Sequence, residues 1–167
     1  ILRLRFAIEP VPEDVANTIM TSQPETQKIA YEIAQKSIVL LKNEAGNLPI
    51  AKDVKKIAVI GQNAVLTTAA GGIGAGVKTL YEISPLEGIQ ARAEKAGVEV
   101  LYAPGYKNYQ MRMGWGRPSA GPVNPLVANS IDEPADPALL AEAVALAKDA
   151  DMVIFFGGTN KSIETEG

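Results

Sequence analysis

The sequence contains no cysteine and no histidine among its 167 residues. Without cysteine there is no disulfide, no thiol nucleophile and no thiolate metal site, and either redox compartment stays compatible. Without histidine, Ser-His-Asp and Cys-His relays drop out, as do the common zinc constellations. Catalysis by this chain would therefore run on carboxylates, lysine, tyrosine, hydroxyls or backbone amides. Trp115 is the single tryptophan. No apolar run reaches the ~18–20 residues that span a bilayer. The net charge is −3 with both signs interspersed, so no basic patch calls for nucleic acid or an anionic membrane. Ile1-Leu-Arg-Leu-Arg-Phe6 lacks an initiator Met, an apolar core and a small-residue cleavage site, unlike a signal peptide. The chain is expected to begin in mid-domain. Glu164-Thr-Glu-Gly167 trails an apolar run with no closing element, so it is expected to stop in mid-domain too.

The hydrophobic share of 47% suffices for a sizeable core. Residues 1–9 read as the last turns of a helix ended by Pro10 and Pro12, and residues 10–22 as a linker. Ser22 is placed to cap a helix with Pro24 and Glu25 in its first turn. Ile29, Ile33, Ser37, Leu40 and Leu41 continue its spacing to about Asn43. Ile57-Ala-Val-Ile-Gly61 reads as a buried strand. Ser84, Pro85 and Glu87 give a capping box for a second helix, which Gly97 ends. Val98–Tyr102 is the second strand. A helix from Asp136-Pro137 to Asp149 leads to the third, Met152–Phe156. Alternating strands and helices predict an α/β fold with a mostly parallel sheet sandwiched by helices.

In such a sheet, ligands meet the carboxyl ends of the strands. Three segments qualify: Gln62–Asn63, Ala103–Tyr106 and Gly157–Gly167. A dinucleotide site needs Gly-x-Gly-x-x-Gly between strand and helix, but only Gly61 stands at that turn. Gly71, Gly72 and Gly74 follow about ten residues later and read as a surface loop. Lys42-Asn43 reads as a helix terminus rather than a ligand contact. Residues 103–135, rich in proline and glycine, form a long irregular loop. Trp115, with Tyr106, Tyr109 and Met111, is either a sugar-stacking platform or a local anchor for that loop. Glu164 and Glu166 lie just past a buried strand and a Gly-Gly turn. As i and i+2 in an extended segment they would point apart, so they do not form one catalytic dyad. On position alone they read as solvated loop charges rather than as catalytic groups.

Several blocks in order alter that balance. Ala34-Gln-Lys-Ser-Ile-Val-Leu-Leu-Lys-Asn43, Leu48-Pro-Ile50 and Ile57-Ala-Val-Ile-Gly-Gln-Asn-Ala64 come first. Gly71-Gly-Ile-Gly-Ala75, Ser84-Pro-Leu-Glu-Gly-Ile89 and Val100-Leu-Tyr-Ala-Pro-Gly105 follow. Ala147-Lys-Asp-Ala-Asp151, Phe156-Gly-Gly158 and Glu164-Thr-Glu-Gly167 complete the series. Together they resemble family 3 glycoside hydrolases over nearly the whole chain except about 106–132. The resemblance implies that residues 1–9 end a (β/α)8-type barrel domain, 10–22 are a linker, and 23–167 begin an α/β-sandwich domain. It implies a retaining, exo-acting β-glycosidase of the β-glucosidase or β-xylosidase kind, with terminal β-linked sugars as substrates and β-glucosides first among them. The family's nucleophile is an Asp in a Ser-Asp-Trp-like motif of the barrel, absent from this chain, so the chain alone is expected to be inactive. The family's general acid/base is a Glu within Glu-x-Glu-Gly-x-Asp-Arg. Glu166-Gly167 matches its Glu-Gly, which points to Glu166, with Glu164 as the fallback. The resemblance implies no metal and no organic cofactor. The chain's partners would be the substrate and the barrel of the same protein. A periplasmic or secreted location is favoured over the cytoplasm. The competing readings are a non-enzymatic, flavodoxin-like ligand-binding or interaction domain and a nucleotide-dependent α/β enzyme.

Overall fold

A computed structural model describes residues 24–67, 81–109, 127–128 and 133–159. The N-terminal helix of the expected barrel, the linker, Ser22 and the glycine-rich loop around Gly71–Gly74 lie outside these residues. The chain divides into two compact units, Ile1–Asn47 and Leu48–Gly167.

In the first unit, helix α1 runs over Pro24–Ser37, with Glu25 in its first turn and Lys36 in its last, as the helix dipole favours. It stops six residues short of the expected end. The Ser37 hydroxyl donates to the Ile33 carbonyl at 2.7 Å, and two β-branched residues, Ile38 and Val39, follow at once. Lys42-Asn43 is therefore not a helix terminus. Lys42 pairs in solvent with Glu44 at 3.3 Å, and the Gly46 N–H closes a turn onto the Asn43 carbonyl.

The second unit is the α/β body. Strand β1 (Lys56–Ile60) is followed by a 3-10 turn (Gln62–Val65), helix α2 (Pro85–Ala96) and strand β2 (Glu99–Ala103). Two short strands, β3 (Asn108–Tyr109) and β4 (Val127–Ala128), precede helix α3 (Pro137–Asp149) and strand β5 (Met152–Phe155). Strand order is β2-β1-β5 with both pairings parallel, Ile57 facing Val100 on one side and Met152 on the other. The capping signals hold. The Ser84 side chain accepts from the Glu87 N–H while Glu87 reaches back to the Ser84 N–H at 2.7 Å. Gly97 takes the left-handed conformation at the end of α2, and Asp136 caps α3.

Strand parity sorts the core into two layers. Ile57 and Val59 face α2 with Leu86, Ile89, Val100 and Ile154, whereas Ile60 and Ala103 face α3 with Ala143 and Leu146. The sheet is thus covered by α2 on one face and α3 on the other. Cover is incomplete beside β5. Phe155 is 63% exposed, and among the described residues β5 pairs with β1 alone. On the opposite face, a mainly apolar groove of about 1050 Å³ opens between Ile57, Ile154 and Phe156 of the sheet and Ile89 and Arg92 of α2. An unpaired edge with exposed large side chains invites association. Produced as this polypeptide alone, the chain is expected to elute as multimers and bind a hydrophobic dye. A monodisperse monomer with one cooperative melt would contradict that.

The amino ends of β1 and β5 are joined by Asp151. Its carboxylate accepts from the Lys55 and Lys56 backbone N–H groups, each at 2.9 Å. These two bonds, the Lys55 one foremost, hold its carboxyl below the usual range. Backbone bonds do the same for Asp136, from Ala138, and for Glu87, from Ser84. A folded-state pKa below the unfolded value, about 3.9 for Asp and about 4.3 for Glu, means stability that is present above that value and lost as pH falls below it through the folded-state pKa. Asp151→Asn should therefore flatten, without abolishing, the drop in melting temperature as pH falls below about 5. A curve as steep as the parent's would contradict this role.

Candidate functional site

The strand order places a topological switch at β1, because the chain leaves β1 for β2 on one side and returns to β5 on the other. A crevice at the carboxyl ends of the two strands flanking such a switch is where open α/β sheets bind ligands. The described parts of the three segments singled out by sequence meet at this end of the sheet, and they are bonded to one another.

Gly61 begins the junction. It lies at φ 127°, and a Cβ there would collide with the Phe156 carbonyl oxygen, so the end of β1 lies tight against the end of β5. The 3-10 turn that follows presents Asn63. Its backbone N–H donates to the Tyr106 hydroxyl at 3.3 Å, and its side-chain Nδ2 donates to the Gly158 carbonyl at 3.0 Å. The Tyr106 hydroxyl donates in turn to the Phe156 carbonyl at 2.6 Å. The Tyr106 ring lies tilted against Phe155, with centroids 6.1 Å apart. Asn108, which is buried, donates its Nδ2 to the Asn63 Oδ1 at 3.3 Å. Behind this network the Tyr102 hydroxyl donates to the buried Gln62 Oε1 at 3.4 Å. Burial foremost raises the Tyr102 phenol's pKa, which keeps it a neutral donor.

Gly105 brings β2's exit into the same junction. It adopts φ 68°, and a Cβ would stand 2.9 Å from Ile60 and 3.4 Å from Ala143, so only glycine lets α3 and β1 close on it. The long loop that follows has a pinned mouth. Asn108 pairs with Val127, and Tyr109 with Ala128, in a short parallel ladder that sequence reading left as irregular. Lys107 bridges Glu133 at 3.0 Å and Asp136 at 3.5 Å. The Glu133 bond foremost raises the Lys107 pKa. Trp115 and Met111 lie outside the described residues. Tyr106, grouped with them as a possible platform, uses its hydroxyl and ring to hold strand ends together.

Glu164 and Glu166 also lie outside the described residues, in the segment that continues from Gly158. Among the described residues, the junction is built from neutral amides, phenols and backbone carbonyls, and no group of three side chains is arranged to hold a metal ion. The crevice between β1 and β5, where a flavodoxin-like domain would seat its ligand, is bridged by the protein's own Asn63 amide and Tyr106 phenol.

Fold and junction together define an open, parallel α/β domain whose third sheet strand ends beside the switch point. The chain matches the model of the glycosyl hydrolase family 3 C-terminal domain over residues 38–167, and it belongs to that family. It is 38% identical over 149 residues to a β-glucosidase of Bacteroides ovatus, an overlap of 86% of this chain and 18% of the relative. Two solved structures superpose with a TM-score of 0.59. One is a β-glucosidase from Erythrobacter marinus, 34% identical, with 87% of this chain and 19% of that one covered. The other is a GH3 exo-β-xylosidase in complex with a xylobiose aziridine activity-based probe, 33% identical, with 85% and 15% covered. The chain spans less than a fifth of the length of these relatives.

Proposed function

We propose that this chain works within a longer retaining, exo-acting β-glycosidase as the part that supplies the general acid/base, acting on terminal β-linked sugars with β-glucosides foremost. The observation that carries the reading is the placement of the Gly157-Gly158 turn. It sits at the carboxyl end of the sheet beside the switch point, so the segment bearing Glu164 and Glu166 departs from the edge where an α/β domain offers a ligand site. Family membership extends through Gly167, and the relatives' names agree in β-glucosidase and β-xylosidase. Residues 1–9 then belong to the end of a barrel domain, 10–22 to a linker and 23–167 to the α/β sandwich. The barrel supplies the Asp nucleophile and most sugar contacts, and Trp115 adds a stacking surface for the sugar.

In the first step the Glu166 carboxyl gives its proton to the glycosidic oxygen as the C1–O bond breaks and the Asp carboxylate bonds to C1. In the second, the Glu166 carboxylate takes a proton from the water that attacks C1, and the Asp departs as carboxylate. An acid working near neutral pH needs a raised pKa, which burial of this loop against the barrel would provide. Glu164 is the alternative acid on the same loop. The chemistry asks for no metal and no organic cofactor.

The full-length enzyme is expected to release the aglycone from aryl β-glucosides and, more slowly, aryl β-xylosides, and to leave aryl α-glucosides intact. Cleavage of the α-anomer in preference to the β would contradict the reading.

A further inference from the structure

We infer that Asn63, held in place by Tyr106 and Asn108, is a positioning residue that sets where the chain leaves the sheet at Gly158 and, through that exit, where the general acid stands. The inference rests on the proposed role of the loop beyond Gly158. Gly157-Gly158 is the freest dipeptide the backbone allows, with Gly158 at φ 117°. Left alone, such a turn would spread the direction of everything after it. Here the carbonyl before the turn and the one that ends it are gripped from other segments: Phe156 by the Tyr106 hydroxyl and Gly158 by the Asn63 amide.

The orientation of the Asn63 amide is specified as well. The buried Asn108 offers an N–H to its oxygen, which leaves the Asn63 Nδ2 facing the Gly158 carbonyl. A flipped amide would set oxygen against oxygen at Gly158 and N–H against N–H at Asn108. The Asn63–Gly158 bond is exposed to solvent, where its net contribution to stability is small. An exposed bond of that kind, backed by a buried residue that sets its direction, is suited to aiming a loop.

The test compares variants of the full-length enzyme on two substrates, one with a leaving group that needs protonation and one whose leaving group departs unaided. The readout is kcat/KM, which reports the first chemical step. Asn63→Asp keeps the size and the acceptor for Asn108 but loses the donor to Gly158. It should lower kcat/KM about tenfold or more for the demanding substrate and less than about twofold for the activated one. Tyr106→Phe should show the same asymmetry. Asp151→Ala, at the opposite end of the sheet, should lower the melting temperature and leave the ratio between substrates unchanged. Equal losses on both substrates, or no loss, in Asn63→Asp would overturn the positioning role. Glu166→Ala and Glu164→Ala, run alongside, separate the two claims. Asymmetry in a Glu variant without asymmetry in Asn63→Asp overturns the inference and leaves the acid assignment standing. Asymmetry in Asn63→Asp without it in either Glu variant would overturn the acid assignment and, with it, the route through Gly158.

Discussion

Glu166→Ala in the full-length enzyme should lower kcat/KM by about 10²- to 10⁴-fold for substrates with poor leaving groups, the span that general acid catalysis ordinarily supplies. Substrates whose leaving groups depart as stable anions should lose little in the first step. Their turnover number should still fall, because the second step also loses its base. The acid limb of the pH profile, set by the nucleophile, should remain, while the basic limb flattens. Glu164→Ala should cost far less, through loop geometry alone. A Glu166→Ala enzyme that loses the same factor on every substrate would place the acid elsewhere.

Gly61→Ala should be the most damaging substitution in the described body. The residue holds φ 127°, a conformation side chains rarely adopt, at a cost of about 1–3 kcal/mol. Its new methyl would also meet the Phe156 carbonyl, part of the backbone rather than a side chain that could swing aside. Forced repacking adds about 1–3 kcal/mol. Loss at that level should lower the melting temperature of the α/β domain by about 10 °C or more. Gly97→Ala is the internal comparison. It also has positive φ, at 67°, but nothing lies within 4 Å of the added Cβ. That variant should lose only about 1–2 kcal/mol of left-handed strain. Equal melting temperatures for the two variants would show that the contact with β5 carries no weight.

The difference between these glycines marks what sequence reading reached. Gly61 was legible as the end of a strand, because an apolar run stops there. That its Cα abuts the carboxyl end of β5 depends on strand order. The Ser84 capping box and the start of α3 at Asp136-Pro137 were legible because their signals lie within four residues. The end of α1 was not. Leu40 and Leu41 keep helical spacing, yet Ser37, Ile38 and Val39 break the backbone first. The three segments at the sheet's carboxyl end were found by topology alone. The bonds joining them were not, since Asn63 meets Gly158 across 95 residues and Tyr106 across 43. Asn, Tyr and Gly at strand ends have many uses. The Lys107–Glu133 pair at the mouth of the long loop escaped notice for the same reason, as a charge pair separated by 26 residues carries no local signature.

The most direct test of the central claim is the product that full-length Glu166→Ala forms in azide. Azide needs no general base, so it can attack C1 of the glycosyl-enzyme and release the Asp carboxylate. With an activated aryl β-glucoside, turnover should rise with azide concentration, and NMR of the product should show β-glucosyl azide, the retained configuration. The parent enzyme should yield glucose under the same conditions. Glucosyl azide from Glu164→Ala but not from Glu166→Ala would exchange the two roles. Its absence from both variants would contradict the placement of the acid/base on the loop that leaves the sheet at Gly158.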